Sequence, residues 1–367
     1  MKIYSKIISA FLATTPFLFI FPLPTQAAYH FADYRAHSPL RIYATTKTAV
    51  GVTPDEIKSI YGLPSTGGKG TIAIVSAYNN TAIEKDLADF NAQFGLSSCT
   101  TKNHCFKKHL MSSKVKSDNN WALETALDVE WAHAIAPTAK ILLVEAVTPS
   151  GANLMKAVDY AAKQKGVIAV SMSWGGAEFP EEVALDSHFG SKYGATFFAS
   201  SGDSGTGASW PAASPNVIGV GGTSLLLAQN SSLIKEKAWQ GSGGGVSAYE
   251  AAPQFQTDYT IPKSNGMRAI PDVAYDADPA SGFPIVHAGV WHTAGGTSAG
   301  APQWAAISTL GSGVQASMLY ADKASDQNAL YFRDVTSGSN GSCGYYCKAR
   351  SRYDYITGLG VPQTVNF

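Results

Sequence analysis

Short apolar runs rich in β-branched residues alternate along the chain with segments of helical periodicity. Thr71–Ala77 (TIAIVSA), Lys140–Val147 (KILLVEAV), Val167–Met172, Ala195–Ser200 and Asn216–Val220 have the length and composition of buried strands. Ile83–Phe94 carries a helical pattern that stops at Gly95, and Asn153–Gln164 puts Leu154, Ala157, Val158 and Ala161 on one face. A further helix is predicted from about Pro180 to Tyr193, and Trp121–Trp131 is helical in pattern. Continuous apolar strands alternating with helices predict an α/β fold, a parallel sheet with helices on both faces. Such sheets carry their functional loops at the carboxyl ends of the strands. The stretch Ala238–Pro262, rich in Gly, Ser and Tyr, predicts surface loops or short antiparallel pieces.

The N-terminal region departs from this pattern. Lys2 and Lys6 precede an apolar run from Ile7 to Leu23, and Thr25-Gln26-Ala27 offers small residues at a cleavage spacing. Residues 1–27 are therefore expected to be a secretory signal peptide, cut after Ala27. A membrane anchor is the alternative, against which Pro16, Pro22 and Pro24 weigh. Residues 28–50 are polar and weakly patterned and predict a short leader. Residues 51–367 form the expected main domain.

Composition narrows the function classes. With 27 basic and 27 acidic side chains the chain lacks the basic stripe of a nucleic-acid binder, and 45% hydrophobic content excludes a disordered protein. The expectation is a secreted monomer without nucleic-acid partners and free of the membrane after signal removal. Four cysteines fit an oxidising compartment. Cys99 with Cys105 and Cys343 with Cys347 would close two short loops; other pairings and a zinc site remain open at this level.

Candidate chemistry clusters in a few places. Gly295-Gly296-Thr297-Ser298-Ala299-Gly300-Ala301-Pro302 precedes an apolar helix from Gln303 to Leu310, so Ser298 lies near a helix N-terminus, where a nucleophile is favoured. None of the eight histidines lies in a context expected of its base, and a Ser-His-Asp triad is poorly supported. Glu124 and Asp128 are one helical turn apart and project from one face. Like charges at that spacing raise one another's pKa and favour a shared proton at acidic pH. Glu130 points elsewhere on the helix. Asp203, in Ser200-Ser201-Gly202-Asp203-Ser204-Gly205, follows the strand Ala195–Ser200; a neutral carboxyl there can donate a hydrogen bond to a developing oxyanion.

Together these residues resemble the sedolisin family, the serine–carboxyl peptidases related to subtilisin. The resemblance runs from Thr53 to Pro362 through LETALDVEW, SMSWGG (Ser171–Gly176), SSGDSG, RAIPDVAYDADP (Arg268–Pro279), GGTSAGAP and the terminal YDYITGLGVP. It implies a subtilisin-like parallel sheet in a single catalytic domain that hydrolyses protein or peptide substrates through an acyl-enzyme, most simply as an endopeptidase. Ser298 would be the nucleophile, Glu124 its general base, Asp128 the acid that orients Glu124, and Asp203 the oxyanion-hole acid. Both the shared proton and a neutral Asp203 predict activity at low pH and loss above roughly pH 6–7.

The resemblance also implies a calcium site from the carboxylates of Asp334 and Asp354 and the carbonyls of Val335, Arg350 and Arg352; oxygen-only ligation suits a hard cation. Arg350 and Arg352 stand where the family usually has glycine. Ser76 stands where some members have a glutamate that extends the proton-sharing chain, and Trp174 matches a tryptophan flanking the acids in such members. The family usually has a long prosegment, which residues 28–50 do not match. Three other readings compete: a non-catalytic binding protein of the same fold, a tripeptidyl-type exopeptidase, and a glycosidase using Glu124 and Asp128. That last pair is too close for the usual flanking carboxylates, and Ser298 would be idle.

Overall fold

An eight-stranded sheet organises the protein. Across it lie Leu233–Ala238, Val217–Leu227, Thr196–Ser200, Val167–Met172, Thr71–Ala77, Lys140–Ala146 and Phe106–Leu110, with Val273–Asp276 also pairing to Val217–Leu227. All of these pairings are parallel except that of Leu233–Ala238. The computed structural model describes residues 30–190, 194–321 and 328–366. The apolar run assigned to a signal peptide lies outside them.

Alternation along each strand feeds two cores. Ile72, Ile74, Ile141 and Leu143 point to one side of the sheet, Ala73, Val75, Leu142 and Val144 to the other. On the first side lie the helices Ile83–Phe94, Asn119–Ile135 and Gly300–Leu310; on the second lies Gly151–Ala162. Ile83–Phe94 ends as its sequence predicts, with Gly95 in the left-handed conformation at φ 64°. Asn119–Ile135 begins at Asp118, whose carboxylate caps the amides of Asn120 and Trp121. From Trp121 to Ile135 every residue of this helix is buried, so its acids cannot be solvated surface charges.

Several expectations needed correction. The predicted helix at 180–193 is a 3-10 helix, Glu182–Phe189, whose first carboxylate folds back to accept the Phe179 amide at 2.8 Å; residues 191–193 lie outside the described set. The strand expected to end at Val220 runs to Leu227, because its second half exchanges parallel partners for Val273–Asp276 and then for antiparallel Leu233–Ala238. Within Ala238–Pro262, Gly245–Ala251 is one of the short antiparallel pieces expected there, paired with Met267–Ile270, while Gln254–Tyr259 forms a short helix that was not expected.

The segment read as a leader is built into the fold. Tyr34 is fully buried, donates its hydroxyl to the Trp210 carbonyl at 2.8 Å and packs edge-on against that indole. Burying such a side chain stabilises by about 1.5–3 kcal/mol. Arg41–Thr46 forms a strand antiparallel to Val290–Gly295.

Cross-links and a buried ion pair brace the loops. Cys99–Cys105 and Cys343–Cys347 are both disulfide-bonded, which removes the zinc alternative. Arg268, in RAIPDVAYDADP, lies fully buried and makes two bonds to Asp272, at 2.7 and 2.6 Å. Asp272 also accepts from the Gly219 amide at 2.7 Å and the Tyr320 hydroxyl at 2.7 Å, so this pair ties the central sheet to the C-terminal part. Among the described residues no helix is long and apolar enough to cross a membrane.

Candidate active site

The strand Val290–Gly295 delivers Ser298 to the site through a tight turn. Gly296 has φ 111°, and a Cβ there would lie 2.2 Å from the Pro39 carbonyl oxygen and 2.6 Å from Asp203 Oδ2. Only glycine fits this crossing. Thr297–Ala299 makes one 3-10 turn, and the apolar helix starts at Gly300, earlier than its sequence pattern predicts. Ser298 is fully buried and donates its hydroxyl to Glu124 Oε2 at 2.9 Å.

The buried helix and the sheet hold the two acids. Glu124 and Asp128 are each 1% exposed. Burial first, and then the charge of Asp128, push the Glu124 carboxyl well above the usual range; bonds from Ser38 and Ser298 pull against this. Burial pushes Asp128 up as well, opposed by the bond from Ser173. Glu124 Oε1 is buried without a hydrogen-bond partner among the described residues, an arrangement costly for an anion and tolerable for a protonated carboxyl. The helix brings both acids to one place, as their spacing predicts.

Ser173 was not singled out from sequence. It donates to Asp128 Oδ1 at 2.5 Å and reaches the Ser298 carbonyl at 3.3 Å, so one hydroxyl joins acid and nucleophile loop. The available signal was its place in SMSWGG, directly after the strand Val167–Met172. Ser76 bonds to Thr125 Oγ1 at 2.9 Å and not to either acid, and Trp174 donates to the Val75 carbonyl.

Asp203 packs against the turn that carries Ser298. Its Oδ1 accepts from the Thr297 amide at 2.8 Å and the Thr297 hydroxyl at 2.9 Å, while Oδ2 has no hydrogen-bond partner among the described residues. Burial raises its pKa to about 7, against the lowering effect of Thr297 and Arg41. At acidic pH the acid is neutral, with Oδ2 beside Gly296 and 3.5 Å from Arg41 Nε. The four residues Ser298, Glu124, Asp128 and Asp203 are joined through Ser173, Thr297 and Gly296.

A strand of the chain itself crosses the site. Gly151 donates to the Tyr34 carbonyl, Ala36 to the Pro149 carbonyl, and His37 and Gly175 exchange bonds at 2.9 and 3.2 Å. Residues 34–37 thus form the middle strand between the loops that follow Lys140–Ala146 and Val167–Met172. Ser38 donates a short hydrogen bond to Glu124 Oε2, the oxygen that also accepts from Ser298. Arg41 bonds the Asp203 carbonyl at 2.6 Å, with Nε 3.5 Å from Asp203 Oδ2. Next to this crossing is a cleft of about 580 Å³, lined by His37–Arg41, Gly175–Ala177 and Ser201–Ser209.

The C-terminal loop carries oxygen donors of the class a hard cation takes. Asp334 Oδ2 accepts the Arg352 amide at 2.7 Å and Asp354 Oδ2 the Arg350 amide at 3.1 Å, so residues 350–352 draw the two carboxylates onto one loop. Burial raises both carboxyls, Asp354 to about 6, and Arg350 stacks instead on Tyr345 at 4.2 Å. The carbonyls of Val335, Arg350 and Arg352 accept no hydrogen bond from the described residues. Arg352 holds the left-handed conformation at φ 65° where the family has glycine, so the loop keeps its path despite the side chain. This donor set fits calcium.

Comparison with known proteins agrees with the geometry. Residues 114–322, more than half of the chain, match the family described as the subtilase family. Sedolisin of Pseudomonas sp. (strain 101) is 28% identical over 85% of this chain and 60% of its own length. Kumamolisin of Bacillus sp. (strain MN-32) is 29% identical over 89% of this chain and 65% of its own. Tripeptidyl-peptidase 1 of Dictyostelium discoideum is 29% identical over 66% of this chain and 46% of its own. The chain thus spans less than two thirds of the length of each of these relatives. A structure of Pseudomonas sedolisin, a serine-carboxyl proteinase complexed with pseudo-iodotyrostatin, superposes with a TM-score of 0.74 at 28% identity, covering 86% of this chain and 96% of the other. Sheet order, site geometry and these matches lead to one conclusion: the chain has a subtilisin-like fold and belongs to the sedolisins of the subtilase family.

Proposed function

We propose that the protein is a secreted serine–carboxyl endopeptidase, active at acidic pH. The observation that carries this reading is the bond from Ser298 to Glu124 Oε2, inside a buried carboxyl pair and beside Asp203, whose Oδ2 makes no hydrogen bond among the described residues. With the pair's one proton resting on Asp128, the ionised Glu124 takes the Ser298 proton as Oγ attacks the scissile carbonyl carbon. Asp128, held by Ser173, steadies Glu124 and shares the pair's proton. Asp203 Oδ2–H donates to the oxyanion as the tetrahedral intermediate forms. Glu124 then returns the proton to the leaving amine, and water hydrolyses the acyl-enzyme by the same route.

The crossing strand favours endo-cleavage. The Pro39 carbonyl lies beside Gly296 and Asp203 Oδ2, so chain direction places Ser38, His37, Ala36 and Arg35 progressively further on the acyl side. A tripeptidyl exopeptidase must close its cleft behind His37, the third residue counted back from Pro39. Here Ala36 bonds Pro149 and Arg35 pairs with Ser150, beyond that point. On the amine side the chain continues as the strand Arg41–Thr46.

Calcium would be held by Asp334, Asp354 and the carbonyls of Val335, Arg350 and Arg352, where it would neutralise two buried carboxylates and brace the loop next to Cys343–Cys347. No catalytic step involves it. The signal peptide at 1–27 and the two disulfides support secretion.

The test is hydrolysis of an internally quenched peptide, blocked at its N-terminus, from pH 3 to 8 by the wild type and by Ser298→Ala. Acidic activity lost in the variant is expected. Hydrolysis surviving Ser298→Ala would defeat the mechanism, and cleavage only of peptides with a free N-terminus three residues from the cut would favour the exopeptidase.

A further inference from the structure

We propose that Glu178 and Glu182 form a proton-held latch: a hydrogen-bonded carboxyl pair that pins the cleft wall Gly175–Ala177 to the strand Gly245–Ala251 at acidic pH and releases it as the pair ionises. That the wall binds substrate rests on the peptidase reading above; the latch itself is a matter of the fold.

Gly175, Gly176 and Ala177 line one side of the cleft, and Gly243 lines another. Gly175 exchanges main-chain bonds with His37, so this segment is an edge on which extended chain lies. The next residue, Glu178, sends its carboxylate across to the strand Gly245–Ala251. It accepts a short hydrogen bond from the Ser247 hydroxyl and a second bond from the Ala248 amide at 3.2 Å. Ser247 Oγ accepts in turn from the amides of Tyr249 and Glu250, at 3.1 and 2.9 Å. One carboxylate thus organises this strand and ties it to the wall.

The bonding pattern says where the proton sits. Both oxygens of Glu178 accept, one from Ser247 and one from Ala248, which suits the ionised member of the pair. Glu182 faces it and is fully buried. Its Oε2 accepts the Phe179 amide at 2.8 Å, and its Oε1 has no partner among the described residues. Two carboxyl groups within hydrogen-bonding reach of each other need a proton between them, and Glu182 Oε1 is the atom left to carry it. Without that proton the two charges repel, and Oε1 stays buried with nothing to accept from.

The surroundings supply more acids and little positive charge. Glu250 from the strand and Asp186 from the 3-10 helix bring the group to four carboxyls. Glu250 is buried, with Oε1 unpartnered among the described residues, and Asp186 accepts from the Ser214 hydroxyl at 2.5 Å. Arg268 is the cation that faces Glu250 and Asp186, and its guanidinium is committed to Asp272. On the helix itself Glu181 pairs with His30, and His188 with Asp159. Burial, joined by the charges of Glu178 and Glu250, raises Glu182 to about 9; burial, joined by Asp186 and Glu178, raises Glu250 to about 7. Folding therefore takes up protons here. The latch's contribution is complete below the ordinary carboxyl value of 4.5 and is lost as pH rises from about 7 through about 9.

The experiment measures hydrogen-exchange protection of the amides of residues 175–179 from pH 5 to 9 in the full Ser298→Ala chain, with and without Glu182→Gln, against residues 72–75 of the central sheet as reference. The glutamine donates to Glu178 and accepts from Phe179 at every pH. Expected is a loss of protection of about tenfold or more between pH 7 and 9, confined to residues 175–179 and absent in Glu182→Gln. Protection that stays constant, falls equally in Glu182→Gln, or falls together with residues 72–75 overturns the latch. In the chain that keeps Ser298, Glu182→Ala at pH 4 should raise KM for a quenched peptide about tenfold with kcat little changed, while Glu182→Gln matches the wild type. A KM equal to that of the wild type in Glu182→Ala overturns the positioning of the wall. Wild type that hydrolyses no peptide at any pH defeats the peptidase reading, and the exchange result then decides the latch by itself.

Discussion

Ser173 donates its hydroxyl to Asp128 at 2.5 Å, fastening the deeper acid of the site to the end of the strand Val167–Met172. The bond holds Asp128 below the value that burial alone would impose. Ser173→Ala is therefore expected to lower kcat about tenfold, the equivalent of one ~1.4 kcal/mol hydrogen bond, with KM little changed. Because the pair titrates as a unit, the acidic limb of the kcat profile moves to higher pH, and Ser173→Thr restores it. A loss of kcat with an unmoved pH profile would reduce Ser173 to a packing residue.

Asp203 links activity and stability to the same window of pH. Its pKa rises from 3.8 to about 7 in the fold, so between these values folding takes up a proton. That contribution to stability is complete below the unfolded value and is lost as pH rises through about 7. The proposed oxyanion donation is lost over the same upper range. Asp203→Asn keeps a neutral donor at every pH: urea midpoints should fall less steeply from acid to neutral pH, and more of the activity should survive at neutral pH than in wild type. Asp203→Ala should cost about 10²–10³ in kcat. Identical pH profiles for wild type and Asp203→Asn would remove the acid from the mechanism.

Arg268 and Asp272 form a fully buried bidentate pair. Arg268→Met leaves Asp272 charged and unpaired in the core, and a loss of about 3–5 kcal/mol is expected from urea unfolding. Arg268→Met with Asp272→Leu should recover only part of this, because Gly219 and Tyr320 lose their acceptor. A single variant within experimental error of the wild type would show that the pair contributes nothing net.

Chelation tests the C-terminal loop. If calcium is held there, chelator lowers Tm in proportion to the binding free energy removed, and Asp334→Asn abolishes that sensitivity. Unchanged Tm on chelation, with elemental analysis finding no bound metal, would exclude the site.

The strands near the site were legible because they are short, continuous apolar runs. Thr71–Ala77 and Val167–Met172 fall where their sequences place them, and Ile83–Phe94 ends at its glycine. The run Glu182–Phe189 was legible as helical but not as 3-10, because its carboxylate–amide bond is a local choice that hydrophobic pattern does not record. The packing of residues 30–50 was not legible, because Tyr34 and the strand Arg41–Thr46 obtain their partners from Trp210 and Val290–Gly295, far away in sequence.

The sequence by itself determined the parallel α/β class, the cysteine pairs' local spacing and the four residues that carry the proposed chemistry, since periodicity and motif order are written in neighbouring positions. Tertiary structure decided what those residues can do. It buried Glu124 and Asp128, freed Asp203 Oδ2, brought Ser173 to Asp128 and laid Ser38, Pro39 and Arg41 across the cleft. Proton affinity depends on burial and on charges within a few ångströms, and those neighbours come together only when distant parts of the chain pack.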